Sequence, residues 1–230
     1  MRYKGVVFDL YGTLVRPFRR REHLSAVAGC AGILGLDPKD LQQAWNRDFE
    51  RRMRGDVRSA GESLGPMARA LGAEPCADAL SAAREILDRF VEEGLEPLPQ
   101  AVALLLDLRR RGAGIGLCSN CAGDVPARFA RSPLAPFFDA PVFSSEVGLV
   151  KPDPRIYAAA LAGIGLGPQD VLYVGDGSDN EFSGAAACGM GAVLVEVDLS
   201  NTYDARRPDV DDWQGDRVRD LHDVLAIYEG

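Results

Sequence analysis

The sequence feature that most constrains the fold is Val6-Val7-Phe8-Asp9, in which three apolar residues lead directly into a carboxylate. An uninterrupted apolar run of this kind suits a parallel strand that is covered on both faces. Ligands of open α/β sheets gather at the carboxyl ends of such strands. Asp9 is therefore a candidate functional residue, although an Asp in this place is also compatible with simple capping of the Gly12-Thr13 turn.

From residue 97 onward, short apolar runs alternate with segments of helical spacing. Strands that alternate with helices in this way indicate an α/β fold with a doubly wound, mainly parallel sheet. The pattern predicts strands over 115–119, 142–144, 171–174 and 192–197. It predicts helices over 99–111, 123–131, 181–188 and 217–228, and a further helix that begins at Asp153-Pro154.

Residues 16–96 contain no apolar run that resembles a buried strand, whereas helix signals recur. We expect about four helices here, over 22–35, from Asp37-Pro38 onward, over 61–72 and over 76–94. In the second helix, one face is formed by Leu41, Ala44, Trp45 and Phe49, and the two aromatic residues are expected in a buried core. The sequence therefore predicts an α/β core formed by 1–15 and 97–230, and an inserted helical cap formed by 16–96.

The overall charge limits the kinds of partner that the protein can have. The formal charge is -8 and the pI is near 4.9, whereas phosphate backbones and acidic membranes are bound by basic patches. No apolar run approaches the length that crosses a bilayer, and the N-terminus enters a strand without a signal-peptide pattern. We expect a cytoplasmic protein that acts on a small molecule and binds neither nucleic acid nor membrane. The sequence does not specify the oligomeric state.

Cysteine and histidine content restricts the chemistry further. Five cysteines without a disulfide-like spacing suit a reducing compartment. Cys118 and Cys121 form a C-x-x-C pair, but a second pair is missing and the chain has only His23 and His222. A zinc or redox site is therefore the minor alternative, and Cys118 is better explained as a buried strand residue. Catalysis is expected to rest on carboxylates and lysine.

Polar residues follow several of the predicted strands. Asp9 ends the first strand, Ser119-Asn120 end the second, and the strand over 171–174 leads into the acidic segment 176–181. Lys151 stands just before the helix that begins at Asp153-Pro154. Because the carboxyl ends of parallel strands meet at one edge of a sheet, these groups are expected to converge there.

These residue types suit chemistry on a phosphoryl group. Asp9 can attack phosphorus as a nucleophile and form an acyl phosphate. Thr13 and Ser119 can donate hydrogen bonds to phosphoryl oxygens, and Lys151 can neutralise their charge. Hard oxygen ligands for Mg²⁺ are available from Asp9, Asp176 and Glu181.

The ordered set of motifs resembles the haloacid dehalogenase (HAD) superfamily over the whole chain. Asp9 to Thr13 resemble its first motif, Ser119 the second, Lys151 the third, and Asp176 to Glu181 the fourth. The insertion after the first motif resembles the small α-helical cap of that superfamily. The resemblance implies a Rossmann-like core with Asp9, Tyr11 and Lys151 as catalytic residues and with Thr13, Ser119 and Asn120 as substrate-binding residues. It also implies Mg²⁺ bound by Asp9, Asp176, Glu181 and the backbone carbonyl of Tyr11.

Tyr11 departs from the pattern of the superfamily's phosphatases, in which this position is a second Asp that serves as general acid and base. The 2-haloacid dehalogenases of the superfamily do have Tyr in this motif, but they work without metal and lack the paired carboxylates of the fourth motif. The chain therefore combines features of both. Glu181 stands where Asp is usual, and Asp179 is the competing ligand.

We expect a Mg²⁺-dependent phosphatase that acts on a small phosphorylated metabolite through an aspartyl-phosphate at Asp9, because the metal loop carries more weight than the tyrosine. The alternatives are a 2-haloacid dehalogenase and a catalytically weakened binding or regulatory protein. Four arginines lie where the chain enters the cap, and one of them could reach an anionic substrate: Arg16, Arg19, Arg20 and Arg21. We expect instead that this charge run forms a solvated face, and we expect the same of Arg47, Arg51 and Arg54, which follow helical spacing.

Overall fold

The centre of the fold is a six-stranded parallel sheet with the strand order β3-β2-β1-β4-β5-β6. The computed structural model describes residues 1–203 and 207–230. The strands are β1 Gly5–Phe8, β2 Gly114–Ser119, β3 Val142–Phe143, β4 Val171–Gly175, β5 Gly191–Val195 and β6 Asp216–Val218. The prediction of a doubly wound parallel α/β fold is confirmed.

Strand β1 lies in the middle of the sheet because both of its faces are apolar. Val6 and Phe8 pack into one core cluster together with Leu104 and Leu108, whereas Val7 packs into a second cluster on the other face together with Ile156. Each β1 residue pairs with β2 on one side and β4 on the other. The strand is thus covered above, below and at both edges, which fixes the position of the residue that follows it.

The helices cover the two faces of the sheet and form the insertion after β1. No helix in residues 1–203 and 207–230 is long and apolar enough to span a membrane. In chain order the helices are α1 Arg20–Leu34, α2 Pro38–Arg47, α3 Phe49–Met53, α4 Leu64–Ala70, α5 Ala77–Gly94, α6 Pro99–Arg110, α7 Val125–Phe129, α8 Ser144–Val147, α9 Pro154–Ile164, α10 Glu181–Ala187, α11 Pro208–Asp211 and α12 Val224–Glu229.

Helices α1, α2, α4 and α5 surround a hydrophobic cluster of their own. Its buried residues all fall between Ala26 and Leu87, and helix α1 packs along α5 within it. Asp37 caps helix α2 by accepting hydrogen bonds from the backbone N–H groups of Lys39 and Asp40, as its place before Pro38 suggests. This separate cluster supports the division into an α/β core and a helical cap over 16–96, which stays a prediction.

Two details differ from the sequence-based expectation. Phe49 does not share the buried face of α2, because that helix ends at Arg47 and Phe49 begins α3 with 54% of its surface exposed. The predicted helix over 217–228 is also wrong in its first half. Residues Asp216–Val218 pair with β5 as an edge strand and bury Val218, and helix α12 begins only at Val224.

Candidate active site

Asp9 and Asp176 meet at the carboxyl edge of the sheet. Asp9 follows β1 and Asp176 follows β4, and these two strands are direct neighbours. The backbone N–H of Asp9 donates to the carbonyl of Val174 over 2.9 Å, so the pairing of the strands continues into the site. Both carboxylates are buried, which confirms that the apolar strands lead acidic groups into one protected place.

Lys151 joins two of the predicted site residues. Its Nζ lies 2.6 Å from Asp9 Oδ1 and 2.6 Å from Glu181 Oε2, and it donates over 3.3 Å to the hydroxyl of Tyr173. The ammonium and both carboxylates are buried. One cation is therefore shared between two anions inside the protein, where its charge is little screened by water.

Glu181 is held by several donors besides Lys151. The Tyr173 hydroxyl donates to Oε2 over 2.7 Å, and the backbone N–H of Gly177 donates to Oε1 over 2.7 Å. The loop before Glu181 turns through left-handed backbone at Gly177, Asp179 and Asn180, residue types that tolerate this conformation. The turn directs Glu181, the first residue of α10, back into the site.

Three carboxylates come together as a candidate metal centre. Single oxygens of Asp9, Asp176 and Glu181 lie within 4.8 Å of one another, and all three residues are buried. Asp179 is instead exposed and accepts a hydrogen bond of 2.8 Å from Asn120 Nδ2. Of the two competing residues in the fourth motif, the geometry therefore favours Glu181. Carboxylate oxygens are ligands that Mg²⁺ prefers, so the side chains of this set fit that ion.

The mutual proximity of these groups perturbs their protonation. Burial raises the pKa of Asp9 and of Glu181, and this effect outweighs the opposing attraction of Lys151. Burial alone would lower the pKa of Lys151, but Asp9 and Glu181 raise it well above its usual value. The lysine is therefore a permanent cation, and a further cation at the three carboxyl groups would stabilise their charged forms against the effect of burial.

Asp176 has its own cationic partner. Arg207 Nη1 lies 2.8 Å from Asp176 Oδ2 and 2.9 Å from its backbone oxygen. The other carboxylate oxygen, Oδ1, accepts from the backbone N–H of Ser178 over 3.1 Å. Gly12 makes room for this carboxylate, since a Cβ atom there would lie 2.0 Å from Asp176 Oδ2, and its φ of 79° is unfavourable for other residues.

Two predicted hydrogen-bond donors are available to a ligand. Thr13 Oγ1 and Ser119 Oγ are buried and have no hydrogen-bond partner among the described residues. A buried hydroxyl without a partner is costly, so these atoms indicate the place of a polar ligand. Asn120 is already engaged, because its Oδ1 accepts from the Lys151 backbone N–H over 2.8 Å while its Nδ2 contacts Asp179. Its visible role is to fix the loop that carries Lys151.

Tyr11 lies on the wall of the cavity that contains Asp9. The cavity has a volume of about 500 Å³ and is also lined by Asn120 and Asp176. The phenol of Tyr11 lies edge-on to the ring of Phe18 at 6.3 Å. Burial raises the pKa of Tyr11, so its hydroxyl stays protonated and cannot serve as a base near neutral pH.

Sequence reasoning missed four residues that the structure places in or beside the site: Tyr173, Arg207, His23 and Arg52. The hydroxyl of Tyr173 within an otherwise apolar strand is a signal that could have revealed the first. His23 has no Ser or Cys nucleophile near it in sequence that would mark it as catalytic. No local pattern distinguishes Arg207 or Arg52 from the exposed arginines.

Of the remaining candidates, Cys121 lines the cavity that contains Asp9, whereas the seven arginines do not. The Arg20 guanidinium lies 5.8 Å from the centroid of the Tyr203 ring on the cavity wall. Arg16, Arg19 and Arg51 form exposed ion pairs with acidic neighbours, as expected for a solvated face. Cys118 and Cys121 are free and buried, and burial raises the pKa of both thiols. Neutral, buried thiols are poor nucleophiles and poor metal ligands, which agrees with a structural role.

Comparison with known protein families gives a match that includes most of the site residues. A family model for the haloacid dehalogenase-like hydrolases matches residues 3–189. This range contains Asp9, Ser119, Lys151 and Glu181, and it ends before Arg207.

Characterised relatives include enzymes of two activities. The chain is 28% identical over 225 residues to a glyceraldehyde 3-phosphate phosphatase of Methanopyrus kandleri, covering 96% of this chain and 97% of the relative. It is 35% identical over 146 residues to a phosphoserine phosphatase of Thermus thermophilus, covering 62% and 56% of the two chains. A (S)-2-haloacid dehalogenase of Pseudomonas sp. strain YL is 26% identical, with 98% and 94% covered.

Solved structures show the same mixture. A 2-haloacid dehalogenase from Pseudomonas syringae pv. tomato superposes with a TM-score of 0.69 at 23% identity, covering 99% of this chain and 98% of the other. A HAD phosphatase from Thermococcus onnurineus superposes with a TM-score of 0.67 at 19% identity, covering 99% and 98%. At this identity the structures support the fold and leave the reaction open.

Proposed function

Because the chain belongs to the haloacid dehalogenase-like hydrolases, we propose that it is a Mg²⁺-dependent phosphatase of a small phosphorylated metabolite. The observation that carries this proposal is the buried cluster of Asp9, Asp176 and Glu181, with oxygens within 4.8 Å of one another. A bound metal lets an anionic nucleophile approach an anionic phosphate ester. In attack on an alkyl halide, by contrast, a metal ion bound to Asp9 in addition to Lys151 would weaken the nucleophile.

Asp9 is the proposed nucleophile. One of its carboxylate oxygens forms a bond to phosphorus, the ester P–O bond breaks, and the alcohol leaves with a proton from solvent. Water then attacks the phosphorus of the aspartyl-phosphate, releasing phosphate and regenerating Asp9. The hydrogen bond from Lys151 Nζ to Asp9 Oδ1 holds the carboxylate in one orientation for this attack.

The other site residues would bind the phosphoryl group and the ion. The partnerless hydroxyls of Thr13 and Ser119 are suited to donate to phosphoryl oxygens, and Lys151 to stabilise the charge that builds on them. Asp9, Asp176 and Glu181 are the side chains that would hold Mg²⁺, with the backbone carbonyl of Tyr11 as a further ligand. Asn120 supports this set by fixing the backbone of Lys151.

Tyr11 is the residue that favours the alternative function, a 2-haloacid dehalogenase. The motif Asp9-x-Tyr11-Gly-Thr agrees with that activity, and one of the relatives is named for it. A catalytically weakened binding protein is the third possible function, in which the missing side-chain acid accounts for the loss of activity.

The five free thiols, two of them fully buried, suit a reducing compartment, and we propose that the protein is located in the cytoplasm.

A panel of phosphate monoesters and 2-haloacids, assayed with Mg²⁺ and with EDTA, separates these functions. We expect phosphate release that requires Mg²⁺ and is abolished by Asp9→Asn, which keeps the shape of the side chain but removes its charge. Halide release that is insensitive to EDTA would establish the dehalogenase. Absence of turnover on every compound would leave the binding protein.

A further inference from the structure

The cavity that contains Asp9 continues along a group of aromatic rings. We call the aromatic wall the six side chains of Tyr11, Phe18, His23, Trp45, Phe90 and Tyr203, all of which line the cavity. Neighbouring rings in it have centroids 5.2 to 6.3 Å apart, and most pairs are tilted or edge-on. The wall begins at Tyr11, two residues after the proposed nucleophile.

Several rings beside the cavity are exposed although they are large and apolar. Phe18 is 40% exposed, Tyr203 is 43% exposed, and Phe49, which also lines the cavity, is 54% exposed. Aromatic residues of a core would be covered by protein. Exposed rings that face a cavity next to reactive groups instead mark a surface for an apolar ligand.

The aromatic wall is also electrically neutral. Burial and the nearby Arg52 lower the pKa of His23 to about 4, so its imidazole is uncharged near neutral pH. Arg52 is itself committed, since its Nη1 donates to the Trp45 carbonyl over 2.8 Å and its guanidinium lies 4.1 Å from the Trp45 ring centroid. Among the described residues, the cations that line this cavity, Arg52 and Arg207, are both already paired. Arg20 does not line the cavity, although its guanidinium lies 5.8 Å from the centroid of the Tyr203 ring. A carboxylate on the substrate would therefore find no free counter-ion among the described residues that line the cavity.

We propose that the organic part of the substrate is an uncharged group with an aromatic ring, which packs on the aromatic wall while its phosphate ester lies against Asp9. The proposal rests on the proposed phosphatase function and names its substrate class. Phe18 and Phe90 lie edge-on to each other, and His23 is tilted against both. An aromatic ring of the substrate can extend such an arrangement, whereas an aliphatic chain cannot. Two relatives are named as phosphatases of glyceraldehyde 3-phosphate and of phosphoserine. The polar or charged groups of these compounds would gain little binding free energy from packing on the aromatic wall.

Binding tests the ring independently of catalysis. Propylphosphonate and 3-phenylpropylphosphonate are non-hydrolysable and differ only by the phenyl group, so their dissociation constants are measured by calorimetry with Mg²⁺ present. We expect the phenyl compound to bind at least about tenfold more tightly. Equal affinities would overturn the proposal without any variant being needed.

Two variants test whether the phenyl group of the ligand packs on the aromatic wall. Phe18→Leu keeps an apolar side chain but removes an aromatic partner, so the advantage of the phenyl compound should shrink severalfold while propylphosphonate is unaffected. Ile33→Leu is the matched control, because Ile33 is also 40% exposed in the cap helices but does not line the cavity. An unchanged phenyl advantage in Phe18→Leu would place the ring away from the wall and contradict the proposal.

Rates of ester hydrolysis distinguish a phosphatase without the ring site from a protein that has the ring site but is not a phosphatase. We expect kcat/KM for 3-phenylpropyl phosphate to exceed that for propyl phosphate and for phosphoserine by at least about tenfold, with primary alkoxide leaving groups in each case. Turnover without this preference would overturn the ring site and keep the phosphatase. Tight binding of 3-phenylpropylphosphonate without turnover of any ester would keep the ring site and reject the phosphatase.

Discussion

Arg207 Nη1 lies 2.8 Å from Asp176 Oδ2, which places a guanidinium on a carboxylate that is also a candidate metal ligand. Both side chains are buried. The arginine neutralises Asp176 when no other cation is present, and a metal bound at Asp176 would compete with it for this carboxylate. The stability of the protein without metal and its affinity for metal are therefore expected to change in opposite directions when this contact is altered.

Replacement of Arg207 tests this relationship. In EDTA, Arg207→Met should lower the free energy of unfolding by about 3–5 kcal/mol, because it leaves Asp176 buried and unpaired. In the same variant the dissociation constant of Mg²⁺ should fall, since the ion no longer displaces a guanidinium. Urea unfolding and calorimetric titration with Mg²⁺ measure the two effects.

The control for Arg207→Met is Arg219→Met. Arg219 contacts Glu196 over 2.7 Å but its side chain is 89% exposed. Its removal should cost less than about 1 kcal/mol and leave Mg²⁺ binding unchanged. If Arg207→Met behaves like this control, Arg207 does not compete for Asp176.

Gly12 is predicted to be essential for the position of Asp176. Gly12→Ala would place Cβ 2.0 Å from Asp176 Oδ2 on a backbone with φ of 79°. We expect a loss of stability of about 1–3 kcal/mol from the backbone alone, and loss of Mg²⁺ binding from the displaced carboxylate. Gly165→Ala is the matched control, because its φ is 67° but open space surrounds it. Retained Mg²⁺ affinity in Gly12→Ala would contradict this role.

Acid should destabilise the fold through His23. Its pKa is about 4 when folded and about 6.5 when unfolded, so the unfolded chain binds a proton that the native state excludes as pH falls through this range. The stabilisation is complete above about pH 6.5 and is lost progressively toward pH 4. Between pH 7.5 and pH 5, the wild type should lose about 2 kcal/mol of unfolding free energy more than His23→Gln.

Urea unfolding at the two pH values measures this difference. His222→Gln provides the comparison, since that histidine has 42% of its side chain exposed and its Nε2 lies 3.4 Å from the carboxylate of Asp107. Comparison of variants is required because Asp9 and Glu181, whose pKa values are raised by burial, act in the opposite direction. Parallel losses in wild type and His23→Gln would show that His23 is not kept neutral by the fold.

The sequence predicted those parts of the site that follow directly from a buried strand. Asp9 and Asp176 are encoded locally, because an apolar run that ends in an acid carries its own position. Lys151, Ser119 and Glu181 were found by their order along the chain. Tyr173 was overlooked although its hydroxyl within an apolar strand is a local signal. Arg207 was not predicted, because its role comes from a contact with Asp176, 31 residues earlier, that no local pattern records. The same holds for β6, which is only a short edge strand stabilised by pairing with β5.

Tyr11 gives the sharpest test of the reaction. If the protein is a phosphatase without a side-chain acid, its activity should fall steeply as the leaving group of the ester becomes more basic, because the departing oxygen must be protonated by solvent. Tyr11→Asp should restore a proton donor and raise kcat/KM most for alkyl esters, by at most about 10²- to 10⁴-fold.

Tyr11→Asn is the matched control, since it has the same shape as the Asp variant but cannot transfer a proton. The measurement is kcat/KM for all three proteins on a series of phosphate esters of graded leaving-group pKa. A shallower dependence in Tyr11→Asp than in wild type and Tyr11→Asn supports the missing acid. If the three slopes are equal and both variants only lose activity, Tyr11 has a positive role of its own, and the dehalogenase becomes the better assignment.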